Sequence, residues 1–344
     1  MYEEADMLIK KMLPFVKNYT DLLNAALSQH SPGMALSRAQ KLWLGFCITG
    51  IILTNSINWS AFSRISMGQY KKNALSWMFR NSKIAWEHLF HFSLSIVFQT
   101  YDITKGVISI DDSDKKRSKC TTKIFGVHKI KDKPTGGFCM GQGLVFLILI
   151  TPKITVPIGY AFYIPDPEVS TWTKENKKLI KAGVPKSERP KEPARSEAYP
   201  TITMIANKLL ETFVKKHPTI KIEAVVADAL YGNAAFMDKA SEITGTSQIV
   251  SQLRSNQNIL FENKKKSVKE YFEHCQPVEQ TLCVRGGKKV TVYIKCARMY
   301  VCAHDKRRFV IALKYKGEKE YRYLVATDLT WQSIDIVEVY TLRW

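Results

Sequence analysis

The sequence predicts an α/β fold: a mixed sheet flanked by helices, with a helical N-terminal region and a β-rich insertion. Three observations carry this reading. Residues 1–100 place apolar side chains at helical spacing, and residues 101–254 alternate short β-branched runs with helical segments. Residues 255–327 alternate apolar with basic side chains, as half-exposed antiparallel strands do, before residues 328–344 turn helical again.

In the N-terminal region, residues 7–16 have helical periodicity and Ser31-Pro32-Gly33 breaks the chain. Ser37 with Gln40 three residues later forms a capping-box pattern for the next helix. Its apolar run, residues 42–53, is well short of the ~20 residues that span a bilayer and is expected as a buried helix. Two short amphipathic segments between residues 57 and 79 meet at Gly68, with Arg64, Lys71, Lys72 and Arg80 on or beside their polar faces. They read either as a helix-turn-helix unit able to dock in a DNA groove or as a small helical core with a basic face.

Strands follow at residues 106–112, 140–151 and 155–164, the last two forming a hairpin through Pro152 and Lys153. Residues 165–200 carry six prolines among lysines and arginines and read as a linker, either a basic strap across DNA or a solvated loop. Then come a helix at 202–216, a strand ending at Asp228, a helix at 233–243 and a strand at 248–253. Gly286-Gly287 and Lys316-Gly317 mark turns in the β-rich part.

The 344 residues suffice for two or three domains. Lys and Arg number 51 against 31 Asp and Glu, a net charge of +20 spread along the chain. That excess points to a folded basic surface for a polyanion, of which nucleic acid is the commonest. Seven cysteines without a CxxC pair make no disulfide framework and fit a reducing cytoplasm. Cys302 and His304, with His274 and Cys275 upstream, match no zinc-ligand spacing. The start, MYEEADMLIKKML, lacks a basic region followed by an apolar one and so does not read as a secretory signal.

The chemistry concentrates in two stretches. In GVISIDDSDKKRSK, residues 106–119, the apolar run of Val107, Ile108 and Ile110 stops at Asp111 and Asp112. By the period of two, Asp112 shares a face with Ile108 and Ile110, so packing fixes its backbone while its side chain emerges at the end of the core. Taken alone, the stretch reads equally as a solvated turn. In KIEAVVADALYGN, residues 221–233, Ala224, Val226 and Asp228 lie on one face of a second strand that also ends in an acid. Carboxylates from two strand ends are the hard oxygen ligands that Mg²⁺- or Mn²⁺-dependent phosphoryl transfer requires.

The element order matches the ribonuclease H-like fold, whose first and fourth strands lie side by side. With these motifs the chain resembles the DDE transposases of bacterial insertion sequences, in the group whose third signature is Tyr, two residues, Arg, three residues, Glu, six residues, Lys. IDDS at 110–113 resembles the first motif and implies a catalytic, metal-binding Asp112 with Asp111 as its neighbour. VVADALYGN resembles the second and implies the same role for Asp228; YTLRW resembles the start of the third, with Tyr340 and Arg343 in register as phosphate contacts. The signature's Glu would fall beyond Trp344, which implies a fragment or an element whose reading frame ended early. The resemblance further implies two Mg²⁺ (or Mn²⁺) ions, double-stranded DNA as partner through terminal inverted repeats and target DNA, a homodimer on DNA, and a bacterial, nucleoid-associated location. A catalytically incomplete DNA-binding remnant that inhibits an intact transposase, or a structure-selective metal nuclease, are the competing readings.

Overall fold

Two helices of the N-terminal region start at side-chain caps, Ser37 and Asn58. A computed structural model describes residues 12–118, 121–284 and 286–343, and the chain divides into two units, Met1–Asp102 and Ile103–Trp344. The first unit holds helices α1 (Pro14–His30), α2 (Arg38–Thr54), α3 (Trp59–Ile65), α4 (Lys72–Asn81) and α5 (Trp86–Thr100). Residues 7–11 of the first expected helical segment lie outside the described residues. The Ser37–Gln40 capping box is formed: Ser37 Oγ accepts from Gln40 N at 3.2 Å and Gln40 Oε1 accepts from Ser37 N at 2.7 Å. Two orphan amides at the start of α2 are thereby satisfied.

Leu23, Leu27, Leu36, Leu44 and Ile84 form one core of this unit, and Phe46, Phe62 and Leu75 anchor a second. The apolar run of α2 is buried through Leu44, Phe46 and Cys47, whereas Ile51, Ile52 and Leu53 at its end are exposed, so the expected burial holds only for its first half. Gly68 (φ 87°) lies in the turn between α3 and α4, where a left-handed backbone favours glycine. Arg64, Lys71 and Lys72 are exposed around it. Among the described residues no single helix is long and apolar enough to cross a membrane.

The second unit is a mixed α/β sheet. Its strands are β1 (Lys105–Lys116), β2 (His128–Lys131), β3 (Phe138–Ile150), β4 (Thr155–Tyr163), β5 (Lys221–Ala227), β6 (Ile249–Leu253), β7 (Asn258–Phe261), β8 (Lys264–Ser267), β9 (Val278–Cys283), β10 (Lys289–Val301), β11 (Lys306–Tyr315) and β12 (Arg322–Ala326). β1 pairs antiparallel with β3 on one edge and parallel with β5 on the other; β4 and β2 share the far edge of β3, and β6 runs parallel to β5. The first and fourth core strands thus lie side by side, as expected. Their interiors are apolar on both faces, as a central parallel pair covered by helices requires: Ile108, Ile110 and Ala224 to Ala227 have no exposure.

Two expectations are corrected. Residues 165–200 are not simply a linker, because Pro167 to Lys181 forms the helix α6. Proline in the first turn forfeits no helical hydrogen bond, and Asp166 caps the turn by accepting from the amides of Glu168 and Val169. The other oxygen of Asp166 accepts from Ser196 N at 3.0 Å, and Trp172 Nε1 donates to Pro190 O at 2.8 Å, so the proline-rich return is tied to the helix. Residues 255–327, expected as a β-rich insertion, are continuous with the core sheet. β12 pairs with β6, and β11 and β10 follow, so the basic strands extend the core sheet.

The remaining helices are α7 (Ile202–Lys216), α8 (Ala234–Thr244), α9 (Val268–Glu273) and α10 (Ser333–Thr341). α7 packs on β3 and β4, while α10 buries Ile336, Val337 and Tyr340 against Val107, Ala224, Val226 and Val250. The central pair is the part of the unit least able to relax around a void. Ile108→Ala is expected to lower unfolding free energy by about 2–4 kcal/mol, measured by denaturant titration, whereas exposed Lys72→Ala stays within about 0.5 kcal/mol of the parent.

Candidate metal centre

The parallel register brings the acids together. Ile108 stands beside Val225, Ser109 beside Val226 and Ile110 beside Ala227, so Asp111 and Asp112 follow at the point where β5 ends and Asp228 turns away. β1 remains paired with β3 as far as Lys116, which holds the acid-bearing segment straight after its other neighbour has left. Asp228 is fixed as the cap of the turn Ala229–Tyr231: its Oδ1 accepts from Leu230 N at 2.9 Å, and its carbonyl accepts from Tyr231 N at 3.1 Å and from the Ser251 hydroxyl. Asp111, Asp112 and Asp228 each offer a carboxylate oxygen, and these oxygens lie within 4.8 Å of one another. Such a group can hold a metal ion, and its all-oxygen donor set suits a hard divalent cation.

Asp111 is a member of the site that the sequence left as a bystander. Val107 packs with Ala224 and Val226 beneath α10, so alternation along β1 carries Asp111 on the α10 face, together with Asp228, and Asp112 on the other. Both reach the group because Asp228 has already left its strand. A single strand's pattern carries no signal for this; the register between two strands does. Asp111 Oδ1 accepts from Asp112 N at 3.0 Å and lies 3.5 Å from Arg343 Nη2.

Arg343 therefore joins the site, with a side chain only 5% exposed. Tyr340 requires a correction. Its side chain is fully buried in the core under α10, and its hydroxyl is held by Gln252 Nε2 and by Arg343 Nη1, the latter at 3.0 Å. Helical spacing of three turns the ring inward beside Arg343, so its hydroxyl orients that guanidinium and does not face a phosphate. Arg64, Lys71 and Lys72 belong to the N-terminal unit.

Burial and the charges of Asp228, Asp111 and Asp114 raise the pKa of Asp112 above its ordinary 3.8. Two full charges 4.8 Å apart repel by about 3 kcal/mol at an effective dielectric of ~20, discounted further at the exposed Asp111 by solvent screening. A cation removes that repulsion.

A second network holds the turn from behind. His304 Nε2 donates to Gly232 O at 3.0 Å while Nδ1 accepts from Arg308 Nε at 3.2 Å. Arg308 Nη2 is paired with Asp238 at 2.6 Å, and Lys306 with the same carboxylate at 2.7 Å. Burial and Arg308 lower the pKa of His304 and keep the ring neutral. Both ring nitrogens are thus engaged, and the only metal-competent group among the described residues is the aspartate trio.

No protein-family profile and no curated protein matches the sequence. A crystal structure of the NurA nuclease from Sulfolobus solfataricus aligns over 69% of this chain and 72% of its own at 9% identity, with a TM-score of 0.23. A score that low carries no argument about fold or activity.

The raised pKa of Asp112 fixes the sign of a stability test. The folded protein holds that proton more tightly than the unfolded chain, so stability falls as pH rises from 3.8 through the raised value. Asp112→Asn is expected to raise the melting temperature of the metal-free protein at neutral pH, with the gain vanishing below pH 3.8, as followed by thermal denaturation in chelator.

Proposed function

We propose that this chain is an insertion-sequence transposase whose acid cluster works with Mg²⁺ or Mn²⁺ to cleave DNA at element ends and transfer the strands. The observation that carries this reading is the convergence of acids from two adjacent parallel strands, on the motifs that resemble the DDE family, with Arg343 against one of them. The net charge of +20 supports a polyanionic substrate.

In this reading Asp112 and Asp228 hold two ions, joined by Asp111 on the α10 face. Bound ions would lower the pKa of an attacking water or 3′-hydroxyl and neutralise the leaving oxygen of an in-line displacement. The protein's own task is positional. β3 keeps the Asp111–Asp112 segment rigid, the capped turn fixes Asp228, and Tyr340 aims Arg343. Arg343 balances Asp111 while the site is empty of DNA, and with a scissile phosphate present its guanidinium contacts that phosphate. Arg64, Lys71 and Lys72 of the N-terminal unit serve duplex contact, and a homodimer holds two element ends.

The test is strand cleavage of duplex DNA carrying the sequences that flank the gene, with Mg²⁺ or Mn²⁺ added. Asp112→Ala and Asp228→Ala are expected to lose roughly 10³-fold or more in rate, with DNA affinity unchanged within about twofold. DNA affinity should fall steeply with salt as phosphate contacts release counterions. Binding by the parent chain without any metal-dependent cleavage would leave a DNA-binding protein in place of an enzyme. A flat salt response would remove the DNA reading.

A further inference from the structure

Tyr231 lies three residues after Asp228, in the same turn, and is completely buried. Its ring packs on Phe236 with centroids 5.0 Å apart. Its hydroxyl has no hydrogen-bond partner among the described residues. An orphaned buried hydroxyl costs about 1–3 kcal/mol, and phenylalanine would fill the same space without that cost. The position beside the acids gives the oxygen a reason: burial and the charges of Asp112, Asp228 and Asp111 push the phenol's pKa far up, and Arg343 pulls it down. The hydroxyl thus lies within electrostatic reach of every charged group of the site.

The acids are unevenly supported. Asp228 accepts from Leu230 N, and Asp111 accepts from Asp112 N and faces Arg343. The carboxylate of Asp112 accepts no hydrogen bond among the described residues, and of the three acids it acts most strongly on Tyr231. A donor without an acceptor therefore sits in the turn that Asp228 caps, and Asp228 belongs to the same acid group as the carboxylate without a donor. Metal-bound carboxylates are ordinarily oriented by such a donor on the oxygen turned away from the ion.

We propose that the Tyr231 hydroxyl is the positioning donor of the acid cluster, donating to Asp112 once a divalent cation draws the carboxylates together. This rests on the acid cluster being a metal centre. It gives the buried phenol a role that the motif resemblance does not assign.

Tyr231→Phe removes one oxygen and keeps the packing on Phe236. The expected result, by calorimetric titration with Mn²⁺, is a Kd raised about tenfold or more, with a melting temperature in chelator equal to or above the parent's. An unchanged Kd overturns the proposal, as does a lowered melting temperature in chelator, which would mean that the hydroxyl already has a partner in the metal-free fold. In the parent chain labelled at the tyrosine Cζ and assigned by NMR, the Tyr231 signal should shift on adding Mg²⁺; a signal that stays put also overturns it. Failure of the parent to bind Mn²⁺ would sink the metal centre itself and this inference with it. Parent binding with an indifferent Tyr231→Phe sinks this inference alone.

Discussion

The parallel pairing of β1 with β5 is the constraint on which the rest of the second unit depends. Because Ile110 stands opposite Ala227, the acids that continue β1 and the acid that follows the end of β5 come side by side. A slip of one residue would move every side chain of β1 to the opposite face and separate the acids. Burial prevents the slip, since Ile108 and Ile110 fill one face and Val107 meets α10 on the other. Packing energy deep in the sheet is thereby converted into positional accuracy at its end.

That accuracy is needed because the site works against stability. Three carboxylates held close together repel, and burial together with that repulsion raises the pKa of Asp112. Supports from several elements hold them in place. Gln252 on β6 is shared: its side chain meets the Tyr340 hydroxyl, while its carbonyl packs so closely on Gly232 that a Cβ there would stand 2.1 Å from it. Gly232 is thus required for a close approach, and the same glycine's carbonyl accepts from His304. The strands that extend the sheet therefore brace the turn of Asp228, in addition to presenting basic side chains.

The basic strands and the proline-rich stretch show how polar sequence misleads about architecture. Lys289 to Val301 and Lys306 to Tyr315 alternate as a half-exposed sheet should, and they do form strands. Their pattern says nothing about which neighbour they join, and β12 supplies that join through β6. Proline density in residues 165–200 suggested a linker, yet Pro167 occupies a position in α6 where proline fits, and a single aspartate ties the helix to its return.

By itself the sequence determined the strand carrying Asp111 and Asp112, though it was expected to stop at 112 and runs on to Lys116, the strand that leads into Asp228, the capping box of α2, and the helix from Ile202 to Lys216. Each is written in local periodicity, end chemistry or a short-range hydrogen bond. Only the tertiary structure decided that Asp111 belongs to the acid group, that Tyr340 is buried behind Arg343, and that Tyr231 leaves a hydroxyl stranded beside the acids. These depend on inter-strand register and on which face of α10 meets the sheet. Both are fixed by contacts between residues distant in the chain, and no local pattern encodes them.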